Sequence, residues 1–139
     1  MSYLTQNLRE TMKVVSSGRG FVRVLEKMTP VSAAAGKVIC EMKVEEQHTN
    51  EMGTLRGGLT ATLITMSAMA LIIYTERGVP GVSVDMNITY VPLAEFGEDI
   101  VIPALFLKQG KTLAFASVDL TNKATGKLTA QGHTKHLGN

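Results

Sequence analysis

The chain has a single cysteine, Cys40, in 139 residues. That excludes an internal disulfide and fits a reducing compartment. Charge is also scarce: 19% of residues are charged, and the net charge is only +2. This is too little to argue for nucleic acid as a partner. It suits an anionic small ligand if the basic residues cluster. The opening MSYLTQNLRE has no basic stretch followed by an apolar one, so no secretory signal is expected. His48 and His133 lack ligand-like spacing with another His, Asp or Cys, and no metal site is expected. Linkers, repeats and low-complexity segments are absent too. With 45% hydrophobic residues, the whole of 1–139 reads as one globular domain.

The longest charge-free stretch lies between Arg56 and Glu76. From Gly57 to Thr75 it is at the short edge of what spans a bilayer. It is led by glycine and interrupted by Thr and Ser, so a buried helix is the better reading and no membrane span is expected. Before it, Leu4, Leu8 and Met12 recur every four residues and predict an amphipathic helix from Ser2 to about Val15. Phe21, Val24 and Leu25 suggest a further short helical turn. Thr29 to Ala34 and Lys37 to Val44 read as strands joined at Ala35-Gly36, and Glu45 to Arg56 as loop.

Beyond Gly81 the period changes to two. Val82, Val84, Met86, Ile88 and Tyr90 alternate with Ser83, Asp85, Asn87 and Thr89, as in a half-buried strand. Alternation would put Ser83 on the face opposite Met86. Asp99 to Lys108, Thr112 to Asn122 and Lys127 to His136 predict three more strands, with Gly-containing hairpins at Gln109-Gly110-Lys111 and Ala124-Thr125-Gly126. The fold class is α+β: an antiparallel meander with one long helix inserted after the second strand. A helix apolar nearly all round must be wrapped by the sheet or covered by a second subunit.

The stretch from His48 to Ser67, HTNEMGTLRGGLTATLITMS, carries the chemistry. A helix starting at Gly57-Gly58 presents unpaired backbone N–H groups and the positive end of its dipole. Such an end suits a bound carbonyl or a developing oxyanion. No His, Asp or Glu lies between Leu55 and Tyr74 to serve as a base beside it.

Six segments carry a resemblance: GLTATL at 58–63, TERG at 75–78, PGVSVDMNITY at 80–90, GEDIVI at 97–102, LKQGKTLAF at 107–115 and SVDLTNKATGKL at 117–128. Together they resemble the hotdog-fold acyl-CoA thioesterases of vertebrates, over essentially the whole chain. The resemblance implies a hotdog fold, an antiparallel β-sheet wrapped around a long central helix. It implies a homotetramer built as a dimer of dimers, with the active site at the dimer interface. The implied substrate is long-chain acyl-CoA, with CoA as part of the substrate and no separate cofactor, in cytosol and mitochondria.

Site roles follow from the resemblance position by position. Gly57 matches the glycine whose N–H polarises the thioester carbonyl, and Asn50 a loop asparagine that helps place the carbonyl or the water. Ser83 matches a hydroxyl that positions water from the facing subunit. A substrate-binding set of Arg56, Asp85, Tyr90, Lys108, Gly110, Lys111, Thr112 and His136 is expected. Within it Lys108, Lys111 and His136, with Lys135, would form a patch for the CoA phosphates, because the hairpin and the last strand lie close. Two positions depart from the family pattern. The family reads HGG where this chain has Arg56-Gly57-Gly58, and it carries Asp or Glu eight residues after that first glycine, where this chain has Thr65. A threonine hydroxyl needs an adjacent base to act as a nucleophile.

Two functions are therefore expected from this sequence. One is an acyl-CoA thioesterase of much reduced activity. The other is a non-catalytic or redesigned hotdog scaffold that keeps the pocket and binds acyl-CoA or another apolar small molecule. A hotdog dehydratase would need a loop histidine and a helix carboxylate as an acid–base pair, and neither is evident.

Overall fold

Short alternating segments punctuated by glycine fold into strands around one apolar helix. The computed structural model describes residues 27–34, 36–73, 82–91, 94–110 and 112–137, with the backbone alone at 69–73, 82 and 109. The expected N-terminal helix, the turn at Phe21 to Leu25 and Lys111 lie outside the described residues. Among the described residues there are six strands: β1 (Thr29–Ala34), β2 (Lys37–Lys43), β3 (Val82–Tyr90), β4 (Asp99–Gln109), β5 (Leu113–Asn122) and β6 (Leu128–Leu137). One helix, α1 (Gly57–Ile73), follows β2 after a short 3-10 turn at Glu46–His48. Gly36 (φ 76°) and Gly126 (φ 74°) take the left-handed backbone that their tight turns require.

The strand order is β1-β2-β4-β5-β6-β3, all neighbours antiparallel. This corrects the simple meander. β2 pairs with β4, and the chain carries β3 to the far edge, where it pairs with β6 alone. Helix α1 lies across the sheet against β2, β4, β5 and β6. Its sheet-facing stripe is Leu59, Thr60, Leu63, Ile64, Ser67 and Ala68, pairs repeating every four residues, and all are buried. Fully burying a Leu or Ile stabilises by about 1.5–3 kcal/mol, so Leu63 and Ile64 are major anchors.

Several buried positions on the sheet beneath the helix are small: Ala104 on β4, Ala114 and Ala116 on β5, Ala130 and Gly132 on β6. Gly132 has a specific reason. A Cβ there would stand 2.7 Å from Cγ2 and 3.0 Å from Cδ1 of Ile64. Gly132→Ala is therefore expected to destabilise by about 1–3 kcal/mol through overpacking. In urea unfolding the cost should shrink in the Ile64→Ala background, because the two positions share one contact. Equal costs in both backgrounds would show that the helix is not seated on Gly132.

Cys40 is buried on β2, and burial pushes its thiol up to about 12. It is a small core residue and not a nucleophile. Among the described residues, no helix is long and apolar enough to cross a membrane.

Candidate active site

The loop before α1 is built on Asn50. Its Oδ1 accepts from the N–H of Met52 (2.9 Å), the N–H of Thr54 (3.2 Å) and the hydroxyl of Thr54 (3.1 Å). Asn50 thus closes the loop through one atom. Its Nδ2 has no acceptor among the described residues and remains free to donate. The loop is anchored at both ends. The Asn50 N–H donates to Thr54 O (2.9 Å), and the Arg56 N–H donates to His48 O (3.0 Å). His48 itself is buried, and its Nδ1 accepts from the Glu45 N–H at 3.0 Å.

Helix α1 then begins with no neutralising group. The Thr60 N–H closes the first turn on Arg56 O at 2.9 Å. The N–H groups of Gly57, Gly58 and Leu59 precede that bond and have no intrahelical acceptor. No acidic residue lies in the first turn. The adjacent Arg56 is exposed and forms no ion pair among the described residues, so the end carries the dipole's positive charge with a guanidinium beside it.

The two glycines are not explained by the packing of this chain. Neither takes a positive φ. A methyl at Gly57 would stand 3.7 Å from the Tyr90 ring, an ordinary contact, and one at Gly58 would meet nothing within 4 Å. Glycine in a helix costs about 0.5–1 kcal/mol relative to alanine. The helix start therefore accepts a loss of stability that no contact within the described residues requires.

Tyr90, at the end of β3, reaches back to this point. Its hydroxyl donates to Gly57 O at 2.9 Å while the ring stays about half exposed. The bond ties the Gly57 carbonyl, and with it the Gly57–Gly58 peptide, to β3. Tyr90 is thus tied to the cradle by its hydroxyl, a contact that spacing along the chain did not reveal.

Two turns on, Thr65 faces the same edge strand. Its hydroxyl donates to Ala61 O (3.0 Å) and lies 3.2 Å from the Met86 sulfur. Back-bonding to the carbonyl four residues earlier occupies its one proton. Neither neighbour is a base. At 1.5 Å per residue, Thr65 stands about 12 Å along the axis from Gly57. One thioester cannot touch both within a single chain.

Ser83 corrects the alternation expected of β3. The register runs Ser83 opposite His136, Asp85 opposite Lys135 and Met86 opposite Thr134, so Val84 is an extra residue in a bulge. The bulge turns Ser83 to the same face as Met86 and Thr65. Asp85 points outward, where Lys135 Nζ lies 3.9 Å from its Oδ2 and 5.5 Å from the Phe115 ring centroid.

The expected phosphate patch is only partly assembled. Lys108 pairs with Phe115, and Phe115 with Lys135, so both lysines project from the outer face of the sheet. Gly110 and Thr112 lie in the exposed hairpin beside them, where the Gly110 N–H donates to Leu113 O at 2.7 Å. His136 does not join them. It follows Lys135 by one residue, so strand alternation turns it to the helix side, where it is buried and neither ring nitrogen is hydrogen-bonded among the described residues.

Burial lowers the pKa of both His48 and His136 below the ordinary 6.5. At His48, Glu45 partly offsets that shift. The unfolded chain then takes up these protons first as pH falls. Their contribution to stability is whole above about pH 6.5 and is lost as pH drops below it. Urea unfolding should show a lower midpoint at pH 5.5 than at pH 7.5, with the difference reduced in His136→Gln. An unchanged midpoint would contradict the buried, neutral assignment.

Residues 52–139 match the family model described as Thioesterase superfamily. The match takes in α1, β3 and every later strand. This chain is a member of the thioesterase superfamily. It is 73% identical over 141 residues to mouse acyl-coenzyme A thioesterase 13, covering all of both chains. The crystal structure of zebrafish thioesterase superfamily member 2 superposes with a TM-score of 0.93, at 62% identity over 99% of this chain and 100% of that one. The mouse member 2 structure gives 0.90 at 68% identity, with the same coverage. The six-stranded antiparallel sheet with one helix is the hotdog fold of these thioesterase superfamily structures.

Proposed function

We propose that this chain is an acyl-CoA thioesterase whose hydrolytic rate is much reduced, because it keeps the carbonyl cradle and lacks the base. The observation that carries this reading is the start of α1. Two glycines that this chain's packing does not require open a helix whose first turn has no acidic residue and whose first three N–H groups have no intrahelical acceptor. The thioester carbonyl binds to the Gly57 N–H with Asn50 Nδ2 alongside. Charge builds on that oxygen as water adds, and fixed donors stabilise it most at that moment. Chain-long similarity to acyl-coenzyme A thioesterase 13 supports the substrate class. Lys108 offers positive charge for the CoA phosphates, and Arg56 offers more beside the helix start.

The site is completed by a second copy. Gly57 and Thr65 are about 12 Å apart along one helix, so the cradle of one subunit is read with Thr65 and Ser83 of another. The edge strand β3 supports this. It is nine residues long, has no strand on its outer side among the described residues, and exposes Val84, Met86 and Tyr90. Such an edge invites pairing with an identical strand across a two-fold axis. We assign a homotetramer built as a dimer of such dimers. We place it in cytosol or mitochondria, where the lone buried thiol of Cys40 stays reduced.

The test is hydrolysis of a long-chain acyl-CoA by purified protein, followed by thiol release. Turnover above buffer but far below that of the mouse relative is expected. Turnover equal to buffer at every chain length would favour the alternative, a non-catalytic hotdog that binds acyl-CoA. Mass measurement by light scattering should give four copies, and a monomer would remove the shared site.

A further inference from the structure

Ser83 and His136 are direct partners across the β3–β6 ladder. Directly opposed residues in an antiparallel pair point to the same face, with Cβ atoms about 4.5–5.5 Å apart. The two differ sharply in environment. Ser83 is exposed at the sheet edge and its hydroxyl has no partner among the described residues. His136 is buried, and neither ring nitrogen has a partner among the described residues. Leaving a buried polar group unpaired costs about 1–3 kcal/mol. A buried imidazole with two idle nitrogens therefore has a strong reason to accept or donate when a hydroxyl turns toward it.

Among the described residues, none that faces the ring across its strand pairs is charged. From β5 the facing residue is Ala114. Helix α1, which packs on β6, has no titratable residue from Gly57 through Ile73. From β3 the facing residue is Ser83. Lys135 and Asp85, the nearest charged residues along the strands, project from the opposite face. The ring is accordingly neutral at neutral pH and able to take a proton.

We propose that His136 is the positioning residue behind Ser83, accepting the Ser83 hydroxyl proton so that Ser83 can draw a proton from the attacking water. This rests on the thioesterase reading above. As the water oxygen bonds to the thioester carbon, one water proton passes to Ser83 Oγ and the Ser83 proton passes to His136. The carbonyl electron pair moves onto the oxygen held by the partner's Gly57 N–H. Collapse reforms the carbonyl and breaks the C–S bond. The imidazolium returns its proton through Ser83 to the CoA sulfur, leaving acid and thiol. In a chain with threonine at position 65, this relay supplies the residual rate.

Two readouts test it. In protein labelled with ¹⁵N-histidine, the His136 nitrogen resonances are expected to move in Ser83→Ala and to return in Ser83→Thr. Ser83 is an exposed edge residue, so both variants should fold. In the pH profile of acyl-CoA hydrolysis, the wild-type rate should fall on the acid side with one protonation below pH 6.5. That limb should vanish in Ser83→Ala and in His136→Gln. Each single variant should lose about 10²-fold, the typical gain from positioned proton transfer, and the double variant no more. Unmoved His136 resonances in Ser83→Ala, or additive losses in the double variant, would overturn the pair. Moved resonances without turnover above buffer would instead overturn the hydrolase reading, and with it the catalytic part of the proposal.

Discussion

Replacing Thr65 with aspartate is expected to raise long-chain acyl-CoA hydrolysis by about 10²–10⁴-fold, the usual contribution of a positioned general base. Thr65 is half-buried on the helix face turned to β3. Its only described partners are Ala61 O and the Met86 sulfur. An aspartate there meets an apolar, partly desolvated neighbourhood, which raises a carboxyl pKa toward the range where a base works best. Thr65→Asn is the matched control, equal in shape and unable to take a proton. A gain in Asp and none in Asn would identify the missing group as a base. Arg56→His, alone and combined with Thr65→Asp, separates the second departure from the family pattern. Equal rates in all variants would show that position 65 does not face the reacting water.

Asn50→Asp is expected to cost about 10²–10³-fold in kcat, the cost of removing one donor from an oxyanion site. The comparison is best made in the Thr65→Asp background, where turnover is easily measured. Aspartate keeps the oxygen that accepts from Met52, Thr54 N and Thr54 Oγ1, so the loop should hold its shape. It replaces the free amide donor with an acceptor bearing negative charge, next to the oxygen that becomes anionic. Circular dichroism and urea midpoint should change little while kcat falls. Loss of stability together with activity would mean that Asn50 acts only through the loop. Unchanged kcat would remove it from the site.

Local chemistry made much of this protein legible before any coordinates. Period-two alternation and glycine-bearing hairpins located β1 to β6 within a residue or two, and the charge-free run located α1. What escaped were the effects of long-range pairing. Nothing local says that β3 crosses to the far edge beside β6. The bulge at Val84 adds one residue, and a one-residue change reverses every side chain before it. That is why Ser83, expected opposite Met86, shares its face. The same parity separates His136 from Lys135 and turns it into the core, away from the patch expected to bind phosphate. Tyr90 reaches Gly57 across 33 positions of chain, a contact visible only once the sheet is folded.

The central claim is that the cradle binds and polarises a thioester carbonyl that the chain then hydrolyses slowly. Isotope-edited infrared spectroscopy of a carbonyl-labelled long-chain acyl-CoA, bound to the unmodified protein, tests this most directly. A carbonyl band at lower frequency than in buffer is expected, persisting over many minutes and relaxing toward the buffer value in Asn50→Asp. A bound band at the buffer frequency, or one that decays at once to free acid, would contradict it.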